Sequence, residues 1–150
     1  MAVTLRTGSP ADAGAVRALL AEADLPVADL EDAALTDFVL AEEDGRLVGT
    51  VAVQPHGAHG LLRSLAVTPA QRGRGLARRL IAAAEARARA QGLRDLTLLT
   101  TSAADLFSHH GYAVIARCAA APALQSSPQF SQLCPATSTC LTKRLTENSA

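Results

Sequence analysis

Arginine and glycine alternate over residues 72–75 (RGRG), directly before Leu76 and Ala77. The two glycines let a ligand approach the backbone closely, and the side chains of Arg72 and Arg74 can donate charge-assisted hydrogen bonds to anionic oxygens. If a helix begins here, its first four N–H groups have no intrahelical acceptor and attract anions. The segment therefore predicts a phosphate-binding loop. A glycine turn with solvated arginines is the alternative.

The segments on either side of this loop have the patterns of a strand and a long helix. LLRSLAVT at 61–68 predicts the strand, and GLARRLIAAAEARARAQG at 75–92, rich in good helix formers, predicts the helix that Gly92 ends. A position between a strand and an amphipathic helix favours the phosphate interpretation. One helical face holds Leu76, Leu80, Ile81 and Ala84, while Arg78, Arg79, Glu85, Arg87 and Arg89 lie mostly elsewhere.

Two common phosphate motifs do not fit this loop. No Gly-Lys-Ser/Thr follows, which excludes the P-loop, and Arg78 stands where the dinucleotide fingerprint needs its third glycine. Another phosphate-containing ligand is required.

The remaining elements predict a mixed α/β sheet with helices on its faces. Before the loop we expect a strand at 3–6, a helix at about 10–23 capped by Ser9, a short second helix within 24–35, and a hairpin of strands 37–42 and 46–54; residues 55–60 (PHGAHG) look like a loop. After the long helix we expect strands at 95–100, 112–117 and about 136–144, with a helix at 102–110 that Ser102 can cap.

Length and composition restrict the class of protein. The 150 residues suit one domain spanning 1–150, and a formal net charge of zero argues against a general nucleic-acid binder. No apolar run is long enough for a membrane span, and the N-terminus lacks a signal-peptide pattern, so we expect a cytoplasmic protein.

The segment LAVTPAQRGRGLARRLI resembles the coenzyme A-binding segment of the GNAT family of N-acetyltransferases. The family pattern Arg/Gln-x-x-Gly-x-Gly/Ala is matched by residues 72–77, and FSHHGY at 107–112 is similar to a later helix-to-strand signature. The resemblance implies the GNAT fold, a mixed and mostly antiparallel sheet of six to seven strands with about four helices, and acetyl-CoA as co-substrate with no metal. Members of the family often form homodimers.

The resemblance also implies where coenzyme A binds. Residues 72–77 would surround the pyrophosphate. Arg78 is also assigned to coenzyme A, because either Arg78 or Arg79 could reach the adenosine 3′-phosphate; the alternative is that they face water. The preceding strand, Leu65-Ala66-Val67, would hydrogen-bond the pantetheine arm and the thioester carbonyl. An N–H group fixed on that strand would stabilise the oxyanion that forms during attack.

The general acid of many family members is missing from this sequence. Counting back five residues from Tyr112 gives Phe107 where a tyrosine is usual. Ser108, His109 or a water molecule could replace it, although a thiolate can also leave with little help. For His109 and His110 a polar helix end is the alternative. His56 and His59 are candidates for the base.

Arg63 is the main candidate for binding the acceptor. It interrupts an apolar run and shares strand parity with Leu65 and Val67, so it could hold a substrate carboxylate or phosphonate. A pair with an acid at the sheet end is the alternative. Ser64, Thr100 and Phe107 are assigned to the acceptor side with it, although Phe107 could be a core residue only.

The C-terminal region has a narrower resemblance, to acetyltransferases of bacterial arsenic-resistance operons. The segments LLRSLAV, LLTTSAADLF and SPQFSQLCPATSTCLTKRL carry it, particularly residues 130–135 (FSQLCP). Relatives in that group acetylate amino-acid-like toxins. Three cysteines, Cys118, Cys134 and Cys140, could bind trivalent arsenic, but free thiols buried as small hydrophobic residues are the simpler interpretation.

Two functions follow from these observations. The first is an acyltransferase that acetylates the amine of a small amino-acid-like molecule by direct attack. The second is a non-catalytic sensor of acyl-CoA or of thiol-reactive ligands such as arsenicals. Neither requires a nucleic acid or a membrane as partner.

Overall fold

The structure of the protein is a computed structural model that describes residues 2–25, 27–28, 30–128, 130 and 138–145. Within these residues there are seven strands: β1 (Thr4–Thr7), β2 (Phe38–Glu43), β3 (Arg46–His56), β4 (His59–Val67), β5 (Asp95–Thr100), β6 (Ala113–Ile115) and β7 (Thr139–Arg144). The α-helices of the same residues are α1 (Ala13–Glu22), α2 (Leu76–Ala90), α3 (Ala104–His109) and α4 (Pro122–Gln125).

The strands form one sheet in the order β1-β2-β3-β4-β5-β7-β6. The pairs β1–β2, β2–β3, β5–β7 and β6–β7 are antiparallel, whereas β4 and β5 are parallel. A mixed and mostly antiparallel sheet of seven strands confirms the predicted fold class.

The chain divides into two compact units, the first made of residues up to Val53 together with Ser64–Ala84. Its core lies between α1 and strands β2 to β4, because the apolar face of α1 needs burial. The buried side chains of this core include Val16, Leu20, Phe38, Leu40 and Ala52. On β3, a side chain at Gly49 would meet Leu80 at 3.0 Å, so glycine is needed where α2 packs against the strand.

The second unit consists of Gln54–Arg63 and the chain from Glu85 onward. β5 pairs with β7 along its whole length, and the outer strand β6 pairs with β7 over three residues. Its apolar cluster contains Leu61, Ala120, Leu124, Phe130 and Cys140. The short helix α4, which the sequence analysis did not predict, supplies Leu124 to this cluster.

Several predicted boundaries were wrong. The expected second helix is a 3-10 helix at Asp32–Asp37, and the predicted loop at 55–60 shrinks to the two-residue turn Gly57-Ala58, because β3 and β4 extend into it. Ser102 does not cap α3; instead Thr100 Oγ1 accepts hydrogen bonds from the N–H groups of Ser102 and Ala103, at 3.3 and 2.9 Å. Residues 136–137 of the predicted last strand lie outside the described residues.

Candidate active site

The loop between β4 and α2 has the backbone that its glycines predict. Gly73 and Gly75 have φ angles of 79° and 80°, which L side chains rarely adopt, and a Cβ on either would meet no atom within 4 Å. Each of the two glycines therefore has open space where a side chain would be, and a ligand can approach the backbone there. Arg72 and Arg74 are also exposed.

The first turn of α2 has N–H groups available for a ligand. Among the described residues, Arg79 is the first of this helix whose N–H reaches a carbonyl four positions back, that of Gly75 at 3.2 Å. The amides of Leu76, Ala77 and Arg78 therefore lack an intrahelical acceptor. Together with the positive end of the helix dipole and two exposed arginines, they form a site suited to an anion.

The inner side of this loop is anchored by polar contacts. Gln71 is 4% exposed and its Nε2 donates to Glu43 Oε1 at 3.0 Å. Arg79 Nη2 donates to the carbonyl of Val3 at 3.2 Å, so this guanidinium is directed to the N-terminal strand region. Arg78, the other arginine considered for the adenosine 3′-phosphate, is exposed. The anchoring fixes the loop before any ligand binds.

The backbone of β4 is irregular at Ser64, and we call this irregularity the bulge. This residue has a φ of 59°, in the left-handed region, and its carbonyl accepts a hydrogen bond of 2.8 Å from Thr50 Oγ1. A left-handed residue breaks the alternation of a strand. The parity argument that relates Arg63 to Leu65 and Val67 assumes a regular strand, so the acceptor role of Arg63 stays a prediction.

Beyond the bulge, two backbone amides of β4 face away from β3. Thr68 N donates to Val48 O at 2.9 Å, which directs the N–H of Thr68 toward β3. Because N–H groups alternate sides along an extended strand, the amide of Ala66 also points to β3, and those of Leu65 and Val67 point to the opposite side. These are the strand residues predicted to contact the pantetheine arm.

The parallel ladder between β4 and β5 is short. It joins His59 to Asp95, Gly60 to Leu96, and Leu61 to Thr97, and it ends there although both strands continue.

Most residues assigned to the acceptor and to catalysis belong to a different unit from the residues assigned to coenzyme A. The loop 72–75, the start of α2 and residues 64–67 belong to the first unit; Arg63, Thr100, Phe107, Ser108 and His109 belong to the second. Arg63 is 4% exposed, and Phe107 is 2% exposed with its ring edge-to-face on Tyr112 at 5.2 Å. Thr100 uses its hydroxyl to cap the turn before α3.

His109 has a defined tautomer. Its Nδ1 lies 2.7 Å from the carbonyl oxygen of Asp105, and a carbonyl can only accept, so the proton is on Nδ1. In this tautomer Nε2 of the exposed ring is the acceptor nitrogen. Ser108, its neighbour on α3, is also exposed.

The other histidine candidates flank the turn between β3 and β4 rather than lying in a glycine loop. His56 is the last residue of β3 and His59 the first of β4. His59 Nδ1 lies 3.0 Å from Asp95 Oδ2 on β5, an acid–imidazole pair with both side chains partly exposed. The base assignment of either histidine stays a prediction.

A buried ion pair that the sequence analysis missed lies in the second unit. Lys143 Nζ donates to both carboxylate oxygens of Glu85, at 3.0 and 3.1 Å, and to the carbonyl of His110 at 2.9 Å. Tyr112 OH donates to the same carboxylate at 3.1 Å. Glu85 is only 7% exposed, not on the solvent side as predicted. Its spacing of four residues after Ile81 is the signal that could have placed it on the buried face.

Tyr112, the only tyrosine in the chain, reports on this cluster. Burial, the charge of Glu85 and the hydrogen bond to it all raise the pKa of its phenol above the ordinary 10.0. We expect tyrosinate absorbance to stay absent at pH 11 while the protein is folded. Because the folded-state pKa exceeds the unfolded one, stability should fall above about pH 10.

The measurement is a spectrophotometric titration of tyrosinate with unfolding followed in parallel. The variant Tyr112→Phe is the control, since it should lose that part of the alkaline decline. A phenol that ionises near pH 10 in the folded state would contradict the buried geometry.

Two of the three cysteines considered for binding trivalent arsenic lie within the described residues. Cys140 is a free, buried thiol within the second unit's apolar cluster, and burial raises its pKa. Its partner on β6 is Ile115, while Cys118 follows that strand, so ladder register does not place Cys118 opposite Cys140. Cys134 and residues 131–135 lie outside the described residues. Among the residues that are described, no group of three or more His, Cys, Asp or Glu could hold a metal ion.

In the part of the chain that the structure describes, none of the helices combines the length and the apolar character that a membrane crossing requires.

Comparison with known proteins adds curated relatives and solved structures. An amino-acid acetyltransferase from Ectopseudomonas mendocina is 39% identical over 80 residues, which are 52% of this chain and 18% of that protein. A similar enzyme from Ralstonia nicotianae is 36% identical over 80 residues. The chain thus spans less than a fifth of the length of these curated relatives.

Among solved structures, N-acetylglutamate synthase from Neisseria gonorrhoeae, complexed with coenzyme A and N-acetyl-glutamate, has a TM-score of 0.82 at 23% identity. The match covers 97% of this chain and 36% of that one. A GNAT-family acetyltransferase from Staphylococcus aureus has a TM-score of 0.77 at 16% identity, covering 97% of this chain and 100% of the other. At these identities the likeness concerns the fold.

The sequence profile of the acetyltransferase (GNAT) family matches residues 12–115, a range that includes the loop, β4 and α3. A match over more than half of the chain confirms the predicted family. The chain belongs to the acetyltransferase (GNAT) family.

Proposed function

We propose that the protein transfers the acetyl group of acetyl-CoA to the amine of a small amino-acid-like molecule by direct attack. The observation that carries this proposal is the loop 72–75, which joins β4 to α2. Its two glycines have open space beside them, and the first N–H groups of α2 follow it directly. On the strand before the loop, two N–H groups face away from β3. The amino-acid acetyltransferases among its relatives support an amino-acid-like acceptor.

Each part of the donor has a proposed place. The N–H groups at the start of α2, with Arg72 and Arg74, would hold the pyrophosphate, and Arg78 would reach the adenosine 3′-phosphate. Gly73 and Gly75 leave open space for that approach. Leu65, Ala66 and Val67 would follow the pantetheine arm, and the amide of Leu65 or Val67 would donate to the thioester oxygen.

The chemical step needs no covalent enzyme intermediate. The neutral amine nitrogen bonds to the thioester carbonyl carbon, giving a tetrahedral oxyanion; the C–S bond then breaks, and the coenzyme A thiolate leaves. The amine loses one proton and the thiolate gains one. The exposed Nε2 of His109 and the hydroxyl of Ser108 are the proposed groups for this proton transfer.

An α-amine suits a site without an obvious base. Deprotonating a lysine-like amine with a pKa of about 10.4 costs roughly 4–5 kcal/mol at pH 7, whereas an α-amine with a pKa near 8 costs about 1.4 kcal/mol. The acceptor amine therefore needs little assistance if it belongs to an amino acid. Arg63, Ser64, Thr100 and Phe107 are the proposed acceptor-side residues.

The test is acetyl-CoA consumption with a panel of acceptors. We expect thiol release that depends on α-amino acids or their phosphonate analogues, and acetylated product detected by mass spectrometry. Binding of acetyl-CoA without turnover of any amine would favour the sensor hypothesis instead, which the buried Phe107 in the usual acid's place supports.

Arg63→Lys tests the acceptor assignment separately. If Arg63 holds the acceptor carboxylate, the loss of one charge-assisted hydrogen bond, about 1.5–3 kcal/mol, should raise KM for amino acids roughly tenfold to a hundredfold. The matching amine without a carboxylate is the control substrate, because its kinetics should not change. An equal loss for both substrates would mean that Arg63 is structural.

The arsenic-resistance role, the homodimer, the single domain over 1–150 and the cytoplasmic location remain predictions.

A further inference from the structure

Thr50 has a polar role in an otherwise apolar part of β3. It has no exposed surface, and it lies between Gly49 and Val51, which are also buried. Its hydroxyl donates to the carbonyl of Ser64 at 2.8 Å. A buried hydroxyl needs a partner, and here that partner is the bulge residue of β4.

The bulge is a strained feature that needs support. Apart from Ser64, the described non-glycine residues with positive φ are Asp24 and Asp44, and both of these lie in turns. A serine in the left-handed region within a strand is less favourable than an extended one, and surrounding contacts must hold it there. The hydrogen bond from Thr50 is such a contact.

One peptide group links Thr50 to the amide proposed for the oxyanion. The carbonyl of Ser64 and the N–H of Leu65 belong to the same peptide, which is trans because the described chain contains no cis bond. In a planar trans peptide these two groups point in opposite directions. By holding the carbonyl on the β3 side, Thr50 directs the N–H of Leu65 away from β3.

We propose that Thr50 is a positioning residue for acetyl transfer: its hydrogen bond to the Ser64 carbonyl aims the Leu65 amide at the thioester oxygen. This inference rests on the proposed function and adds a residue that does not touch the substrate. The effect appears in the chemical step, because negative charge develops on the thioester oxygen only after the amine begins to attack.

Thr50→Val and Thr50→Ser form the test pair. Valine keeps the shape and removes the hydroxyl, whereas serine keeps the hydroxyl. We expect Thr50→Val to lower kcat roughly tenfold to a hundredfold, since removing an oxyanion donor outright costs about 10²–10³ and here the donor is only loosened. The KM for acetyl-CoA and the Kd for coenzyme A should change less than about threefold, and Thr50→Ser should restore kcat.

A second measurement observes the Leu65 amide directly and needs no turnover. Serine followed by leucine occurs once in the chain, at residues 64 and 65, so carbonyl-¹³C serine with ¹⁵N leucine gives one correlated NMR signal. The probe ligand is S-acetonyl-CoA, a thioether that keeps a ketone oxygen near the position of the thioester oxygen. It has no thioester and therefore cannot donate an acetyl group. We expect a downfield amide-proton shift on binding in the wild type and a smaller shift in Thr50→Val.

The two measurements separate the possible failures. A wild type that releases no thiol with any amine refutes the proposed function, while the amide shift still decides the role of Thr50. Three results would overturn the inference. They are an equal amide shift in the wild type and Thr50→Val, no amide shift in the wild type, and a loss of kcat that only follows the fraction of folded protein.

Discussion

Replacing Gly75 with glutamate is expected to weaken coenzyme A binding more than about a hundredfold, with two causes acting together. The new carboxylate would stand beside the pyrophosphate, where like charges at about 4 Å repel by roughly 4 kcal/mol near a protein surface. The side chain would also fill space that is now open. Since each 1.4 kcal/mol is about tenfold in affinity, the repulsion alone exceeds a hundredfold.

Backbone strain must be separated from this electrostatic effect. Gly75 has a φ of 80°, so any L residue there is strained whether or not a ligand binds. Gly45→Glu is the matched control, because Gly45 has a φ of 75° in the turn between β2 and β3 and an equally open side. It should cost similar stability and leave coenzyme A affinity unchanged.

Gly75→Ala completes the series at the same position. It introduces the strain without the charge, so its effect on affinity should be much smaller than that of Gly75→Glu. Isothermal titration calorimetry with coenzyme A, alongside thermal unfolding, measures both quantities. Unaltered affinity in Gly75→Glu would show that the loop does not bind the pyrophosphate.

The sequence was most informative where local chemistry decides the structure. The long helix after RGRG, the hairpin around Gly45 and the buried strand 95–100 follow from helix propensity, turn chemistry and apolar runs, and the structure has all three. The positive φ of Gly73 and Gly75 agrees with the glycine loop for the same reason.

Features that depend on distant partners were not predictable in this way. The bulge at Ser64 carries no glycine and no proline, and its carbonyl accepts a hydrogen bond from Thr50, fourteen residues earlier. The sequence analysis of Arg63 assumed regular alternation of side chains along this strand, which a residue with positive φ interrupts. The short helix α4 is likewise held by the burial of Leu124 in its cluster rather than by a strong local signal.

Charge at buried positions was the other source of error. Glu85 looks like a solvated residue of an alanine-rich helix, yet its carboxylate binds Lys143 from β7 and Tyr112 from the segment after α3. Only the tertiary structure brings these three together. Burial of such a carboxylate is tolerated because it is paired and hydrogen-bonded.

Lys143→Ala is expected to destabilise the protein by about 3 kcal/mol, the lower end for a broken buried ion pair, since part of the lysine remains exposed. The loss arises mainly from Glu85, which would stay buried without its cation. The carbonyl of His110 would lose its donor as well. For a chain of this size, the change corresponds to a fall in Tm of roughly 6–12 °C.

The neighbour Arg144 provides the control, because it is exposed on the same strand and Arg144→Ala should leave Tm nearly unchanged. A double-mutant cycle with Glu85→Gln and Lys143→Met then isolates the pair. If the ion pair is the cause, the double variant should be more stable than the sum of the single losses predicts, because neither charge is left alone. Additive losses would instead indicate that Lys143 stabilises the fold through its apolar stem or its hydrogen bond to His110. In that case Tyr112 and Arg89 would be sufficient partners for the buried carboxylate of Glu85.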